Sequence, residues 1–234
     1  MTMLREIVLN TRTSNEASHA TPLAEPLRQI TSSTAAPSAA AAVERDQIRA
    51  LVQQLFFPDE SRPIRHVAFA PLEDSTATAN LCLEVATVLA EKHNYDVGLI
   101  DARTHTVSLT EELQVLGPAS AEATWPIAPR LWMVPRLNWL PDDPGTVTDQ
   151  SLSRLRELIS EFDFSILWCD PVSWLTTSVA RTCDGVVLVL AANKTRRIIA
   201  EQARNHLQKA QVVLLGSVLV ERRFPVPQGL YRNL

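Results

Sequence analysis

Cysteine, histidine, long apolar runs and surplus positive charge are all scarce in this 234-residue chain. The three cysteines, Cys82, Cys169 and Cys183, are odd in number and lack C-x-x-C spacing, which argues against a redox or metal role and for small core residues. Five histidines are scattered with none at H-x-x-x-H spacing, so no metal site is expected. Apolar runs fall far short of the roughly 20 residues that span a bilayer. The N-terminus has no apolar segment like that of a signal peptide, so a soluble, cytoplasmic protein is expected. A net charge of -4 leaves no basic field of the kind that drives non-specific binding to DNA or RNA, and no nucleic-acid partner is expected.

What is present is apolar material in alternating patterns. Hydrophobic residues make up 46% of the chain, enough for a sizeable core, and the apolar segments fall between Val43 and Val220 without a second linker. Residues 1–42 are rich in Thr, Ser, Ala and Pro and carry little periodic apolar surface, so they read as a mobile tail ahead of one domain, 43–234. MLREIVL at the start of that tail could form a short docking element. From Val43, Ile48, Leu51, Val52, Leu55 and Phe56 recur at the spacing of an amphipathic helix, which Pro58 closes.

Strands are then expected at His66–Ala70, Val97–Asp101, within RLWMVP, within FSILW, across GVVLVLAA and in VVLLGSVLV. Helices are expected over about Ser75–His93, briefly within LTEELQVLG, across SLSRLRELISEF and through KTRRIIAEQARNHLQKA, with PDDPG as a turn or exposed loop. Continuous apolar strands alternating with helices imply an α/β fold, a mostly parallel, doubly wound sheet covered on both faces. In such sheets ligands sit at the carboxyl ends of strands, which directs attention to 70–74, 101–104, 169–173 and 191–196.

Four blocks in those places carry a resemblance: STATANL from Ser75, VGLIDAR from Val97, FDFSILWCDPV from Phe162 and CDGVVLVLAANKTRR from Cys183. In this order the chain resembles, over roughly residues 43–221, the cytoplasmic domains of bacterial tyrosine kinases of capsule and exopolysaccharide synthesis. These are the CpsD/CapB type, relatives of the MinD/ParA ATPases with a P-loop NTPase fold. The resemblance implies that fold, ATP and magnesium as ancestral ligands, and a nucleotide rim at Glu73, Asp74, Ser75, Thr76, Asp101, Arg103 and Asp170.

The same residues depart from the family pattern where it does chemistry. A phosphate loop works because glycines let backbone N–H groups close around phosphates while a lysine neutralises them. Here Glu73–Asp74 stand where the family has Gly–Lys, and residues 71–79 contain no glycine. At a separation of about 4 Å and an effective dielectric near 20, one such contact is worth roughly 4 kcal/mol, so reversing its sign turns attraction into comparable repulsion. Ser75 and Thr76 then read as ordinary helix-start residues, and Asp74 suits the positive helix end. Asp101 keeps the family's first strand-end acid, Arg103 replaces the second, and Trp168 sits at the magnesium-orienting aspartate with Asp170 two residues later. Arg103 is expected to pair with Asp74, Asp101 or Asp170. No tyrosine-rich tail is present, the only tyrosines being Tyr95 and Tyr231, and ERDQIRALVQQLFF keeps Glu44 and Arg49 without the family's oligomerising E-x-x-R-x-x-R spacing.

The reading that follows is a pseudo-kinase or pseudo-ATPase without catalytic residues, without a bound cofactor or metal. It would act by protein contact in bacterial exopolysaccharide or capsule production. The partner implied is a membrane polysaccharide co-polymerase or a true kinase of the family, with recruitment to the inner membrane through that partner, no direct membrane insertion, and homo-oligomerisation left open. Partner-binding candidates are Trp132 and Trp139 in the tryptophan-rich WPIAPRLWMVPRLNWL stretch and the cations Lys194, Arg196 and Arg197. Two alternatives stay open. One is an active kinase or ATPase with Asp101 and Asp170 on magnesium and the lysine supplied by Lys194 or a neighbouring subunit. The other is a MinD/ParA-type spatial regulator, for which proline-broken FPVPQGLYRNL offers no amphipathic membrane helix.

Overall fold

Apolar strands satisfy their backbone groups by pairing side by side and bury their two faces under helices, and among the described residues eight strands form one sheet in the order β1-β8-β7-β2-β6-β3-β5-β4. The computed structural model describes residues 6–8, 39–58, 64–73, 76–104, 107–115, 123–140 and 147–221. In chain order these are β1 (Glu6–Val8), α1 (Ala39–Phe56), β2 (His66–Pro71), α2 (Thr76–His93), β3 (Val97–Ala102), α3 (Leu109–Glu112), β4 (Trp125–Ala128) and β5 (Leu131–Val134). A 3-10 turn over Arg136–Asn138 leads to α4 (Asp149–Ser160), β6 (Phe164–Cys169), α5 (Trp174–Ala180), β7 (Gly185–Ala191), α6 (Arg197–Lys209) and β8 (Leu214–Val220). Every pairing is parallel except β4 with β5.

The strand period of two sorts side chains to the two faces. Val67, Phe69, Leu99 and Ile166 pack against Leu51, Val52 and Leu55 of α1 and Leu81, Val85 and Leu89 of α2. Their neighbours Ala68, Ile100, Leu167 and Leu188 pack against Leu155 and Ile159 of α4, Val179 of α5, and Ala203 and Leu207 of α6. Phe56, Phe57, Tyr95 and Phe164 close the amino end of the strands, with Tyr95 and Phe164 ring centroids 4.7 Å apart. Tyr95 is thus a packing residue; Tyr231 lies outside the described residues.

Several boundaries differ from the sequence expectation. Glu6–Val8, inside MLREIVL, is an edge strand parallel to β8, and α1 begins at Ala39, so two parts of the segment 1–42 belong to the ordered domain. The rest of that segment, and the PDDPG stretch, lie outside the described residues. The helix placed from Lys194 starts instead at Arg197. Asn193 takes a left-handed φ of 63° and the Ala191 N–H donates to Thr195 Oγ1 at 2.9 Å, so residues 192–195 are spent on a turn. Among the described residues no helix is long and apolar enough to cross a membrane.

Gly185 opens β7 where β7 and β8 shift register, and an added Cβ would stand 2.6 Å from Leu215 Cγ and 2.8 Å from the Val213 carbonyl oxygen. A backbone oxygen that accepts the Val186 N–H at 2.8 Å cannot step aside cheaply. Gly185→Ala is therefore expected to lower stability by about 1–3 kcal/mol, read as a fall in the urea midpoint.

Candidate functional site

β2, β3, β6 and β7 run parallel as near neighbours, so the loops leaving their carboxyl ends share one rim. Asp101 lies beside Trp168 and Ala102 beside Cys169 in the β3–β6 register, which brings the residues that follow, Arg103 and Asp170, to the same level. Arg103 Nε donates to Asp170 Oδ1 at 3.1 Å, and its guanidinium carbon sits 4.4 Å from the centre of the Trp168 ring. The other carboxylate oxygen, Asp170 Oδ2, accepts from the Thr104 N–H at 2.8 Å and from Thr104 Oγ1 at 2.7 Å. Arg103 and Asp170 are 8% and 3% exposed, so this is a buried ion pair with added hydrogen bonds and a cation–π face, the setting in which such a pair offsets its desolvation.

Asp101 is committed as well. Its Oδ1 accepts from the Arg103 N–H at 3.1 Å and its Oδ2 from the Leu109 N–H at 2.9 Å, so one carboxylate orients the Arg103 backbone and receives the start of α3. The Trp139 indole donates to the Asp101 carbonyl at 2.9 Å. Burial pushes the Asp101 carboxyl up to about 6, against the opposing pull of those two N–H donors and of the Arg136 and Arg103 charges. Ser108 caps α3 and forms a reciprocal capping box with Glu111, which fixes the loop between Thr104 and Leu109 at its far end.

The structure therefore brings together Asp101, Arg103 and Asp170 from the residues the sequence singled out, and of the three acids considered for Arg103 it pairs Arg103 with Asp170. Glu73 is exposed after β2, and Thr76 is the exposed first residue of α2. Asp74 and Ser75 lie outside the described residues. Lys194 bonds Glu221 at 2.6 Å and Arg197 bonds Glu201 at 2.8 Å, both on the surface after β7.

Trp139 is corrected: at 1% exposure, with its indole spent on Asp101, it is a core residue and offers no surface to a partner. The reason is local, since β4 and β5 form an antiparallel hairpin around left-handed Arg130 and the 3-10 turn folds Trp139 back over the sheet. Trp132 lies half-buried in β5. Thr104 and the ring of Trp168 complete the rim network; the sequence placed Trp168 at the rim through the resemblance but gave neither residue a role in pairing with Arg103 or Asp170. The only signal was position, since both are strand-end residues adjoining the acids.

No protein-family model and no curated protein matches the chain. Solved structures do. The kinase domain of the Escherichia coli tyrosine kinase ETK aligns at 14% identity over 81% of this chain and 80% of that one, with a TM-score of 0.63. The chimerical protein CapA2B2 aligns at 15% identity over 80% of this chain and 88% of that one, TM-score 0.61. The septum site-determining protein MinD of Pyrococcus horikoshii, solved with Mg-ADP, aligns at 15% identity over 72% of this chain and 76% of that one, TM-score 0.54. The fold is thus the α/β P-loop NTPase-like fold shared by bacterial tyrosine kinase domains and MinD.

Two measurements probe the rim. Arg103→Ala would leave Asp170 buried beside Thr104 without its cation and is expected to cost about 3–5 kcal/mol in urea unfolding. The Arg103→Met, Asp170→Leu double variant is expected to cost less than the sum of the single changes, which a double-mutant cycle reads directly. For Asp101, the folded value near 6 lies above the unfolded value of about 3.9, so the penalty for burying its charge is fully present above the higher value and is relieved as pH falls toward the lower. The stability of the wild type relative to Asp101→Asn should accordingly rise as pH is lowered from about 7 to about 4, while any loss of an N–H acceptor in the variant stays constant.

Proposed function

We propose that this chain is a non-catalytic member of its fold, a pseudo-kinase or pseudo-ATPase that acts by protein contact in bacterial exopolysaccharide or capsule production or export. The observation that carries this reading is the buried Arg103–Asp170 pair, which joins two strand ends at the rim by a charge contact internal to the chain. Phosphate binding at such a rim needs free donors and a cation, and magnesium needs carboxylate oxygens open to it. Here the Asp170 oxygens face Arg103 and Thr104, the Asp101 oxygens receive two backbone N–H groups, and residues 71–79 supply neither glycine nor lysine. On this reading the donor set does not fit a magnesium nucleotide.

On this reading the paired rim holds one conformation and the chain offers that fixed shape to a partner. Support for the pathway comes from the four sequence blocks together with likeness in fold to a tyrosine kinase domain. The partner proposed is a membrane polysaccharide co-polymerase or an active kinase of the same fold, met by the half-buried Trp132 edge and the 194–197 turn.

Calorimetric titration of the full chain with ATP and magnesium tests the reading. Affinity weaker than about 10 µM is expected, and a tighter complex would end the claim that the site is not a working one, since about 7 kcal/mol of binding energy would then have to come from this donor set.

A further inference from the structure

We propose that Glu84 makes the seating of α1 on α2 pH-dependent, holding the amino-terminal turns of α1 down in acid and loosening them as pH rises through neutrality. α1 and α2 pack together on one face of the sheet and share one apolar cluster. The contact is uneven along α1. Ile48, Leu51, Val52, Leu55 and Phe56 are each 6% exposed or less and anchor the carboxyl half of the helix. Ahead of Ile48, Val43, Arg45 and Asp46 are exposed and Glu44 and Gln47 half-buried, so the described residues of the first turns supply no buried apolar side chain.

Glu84, in the middle of α2, faces that weakly held end. Its Oε2 is buried and has no hydrogen-bond partner. One turn on, the Thr87 hydroxyl is committed to the Leu83 carbonyl at 2.7 Å. The charges that act on Glu84 come from α1: Glu44 opposes its ionisation, and Arg45, exposed, assists it more weakly. Asp46 and Arg49 of the same helix pair with each other in solvent. β2, β3, β5 and β6 meet this layer through apolar side chains such as Val67, Leu99, Met133 and Ile166. α3, which also touches α2, brings Leu109 and two further acids, Glu111, bound into its capping box with Ser108, and Glu112. On α2 itself Glu91 is exposed two turns away.

A carboxylate with an orphaned oxygen between two helices, opposed by an acid on the facing helix, is easier to keep neutral than charged. Burial, with Glu44 adding to it and Arg45 partly offsetting it, pushes the Glu84 carboxyl from an ordinary 4.5 up to about 7. Lifting the first turns of α1 returns water to the group and removes Glu44, so its affinity for the proton falls. The seated state therefore keeps a proton that the lifted state loses. Seating is strongest at the acid end, weakens as pH rises from about 4.5, and has lost the whole contribution above about 7. The apolar anchor from Ile48 onward is untouched by this titration, which confines the response to the turns ahead of it. The device lies at a helix–helix contact and does not depend on the proposal for the nucleotide rim.

Hydrogen–deuterium exchange of the full chain tests this, with wild type and Glu84→Gln compared at each pH. Glutamine keeps the shape of the neutral acid and does not titrate. Amides 43–48 should exchange alike in the two proteins at about pH 5 and about tenfold faster in the wild type at about pH 8, with amides 51–56 the same in both. Comparison at one pH cancels the intrinsic exchange rate and the titration of Asp101, which both proteins share. Glu44→Gln removes the opposing acid and leaves the burial, so it should move the wild-type transition to lower pH without abolishing it. A carbon-13 NMR titration of glutamate-labelled wild type needs no variant to fold, and should show a carboxyl titrating near 7 that Glu84→Gln lacks. A Glu84 carboxyl that titrates near 4.5, α1 amides that keep their wild-type pH dependence in Glu84→Gln, or a difference spread over the whole domain overturns the inference.

Discussion

A guanidinium and a carboxylate buried side by side, Arg103 on Asp170, constrain everything at the carboxyl end of this sheet. Taking both charges out of water is costly, and the cost is offset only when every remaining polar valence finds a partner. The surroundings supply them. Trp168 gives the guanidinium a π face, Thr104 gives the carboxylate two further donors, and Asp101 holds the Arg103 backbone while receiving the first N–H of α3. Trp139 in turn donates to the Asp101 carbonyl, so the hairpin edge of the sheet is tied to the same centre. One buried pair thereby couples β3, β6, α3 and the turn after β5.

The proposal that this chain is non-catalytic rests on that coupling. A phosphate site keeps its donors available until ligand arrives, while this rim uses its donors internally. Elsewhere, the start of α6 has Arg196 at its N-cap without a side-chain cap, while Lys194 and Arg197 pair with Glu221 and Glu201 and Ile198 is exposed. The rim and the α6 start follow different strands, β3 and β6 for the first and β7 for the second. A scaffold of parallel strands presents several loops at one end, and each loop can be altered without disturbing the core.

Long, strongly patterned segments were legible in the sequence because their burial is dictated by periodicity. The helix of Ile48, Leu51, Val52 and Leu55, the strand GVVLVLA and the helix of Leu155 and Ile159 all sit where the apolar spacing placed them. Of the short elements, α3 and β5 fall within LTEELQVLG and RLWMVP as expected, whereas β4, α5 and β1 were not legible as such. β4 has four residues and includes Pro126, α5 has seven residues rich in Thr and Ser, and β1 has three, so each carries too few positions for a period to register. Their existence depends on a neighbour: β5 for β4, the sheet face and α6 for α5, β8 for β1.

The sequence by itself determined the strand–helix alternation, and with it a mostly parallel sheet covered on both faces, because continuous apolar strands have no other way to leave water. It also determined that residues 71–79 contain no glycine and that an arginine, Arg103, follows the strand ending in Asp101 and Ala102. Only the tertiary structure decided which acid Arg103 meets, that Trp139 is interior, and that Trp174 and Ile198 are not. Those outcomes turn on which strand ends become neighbours and which helix starts stay uncovered. Residues 67 positions apart in sequence, Arg103 and Asp170, are joined by the β3–β6 pairing, and no local pattern encodes such a meeting.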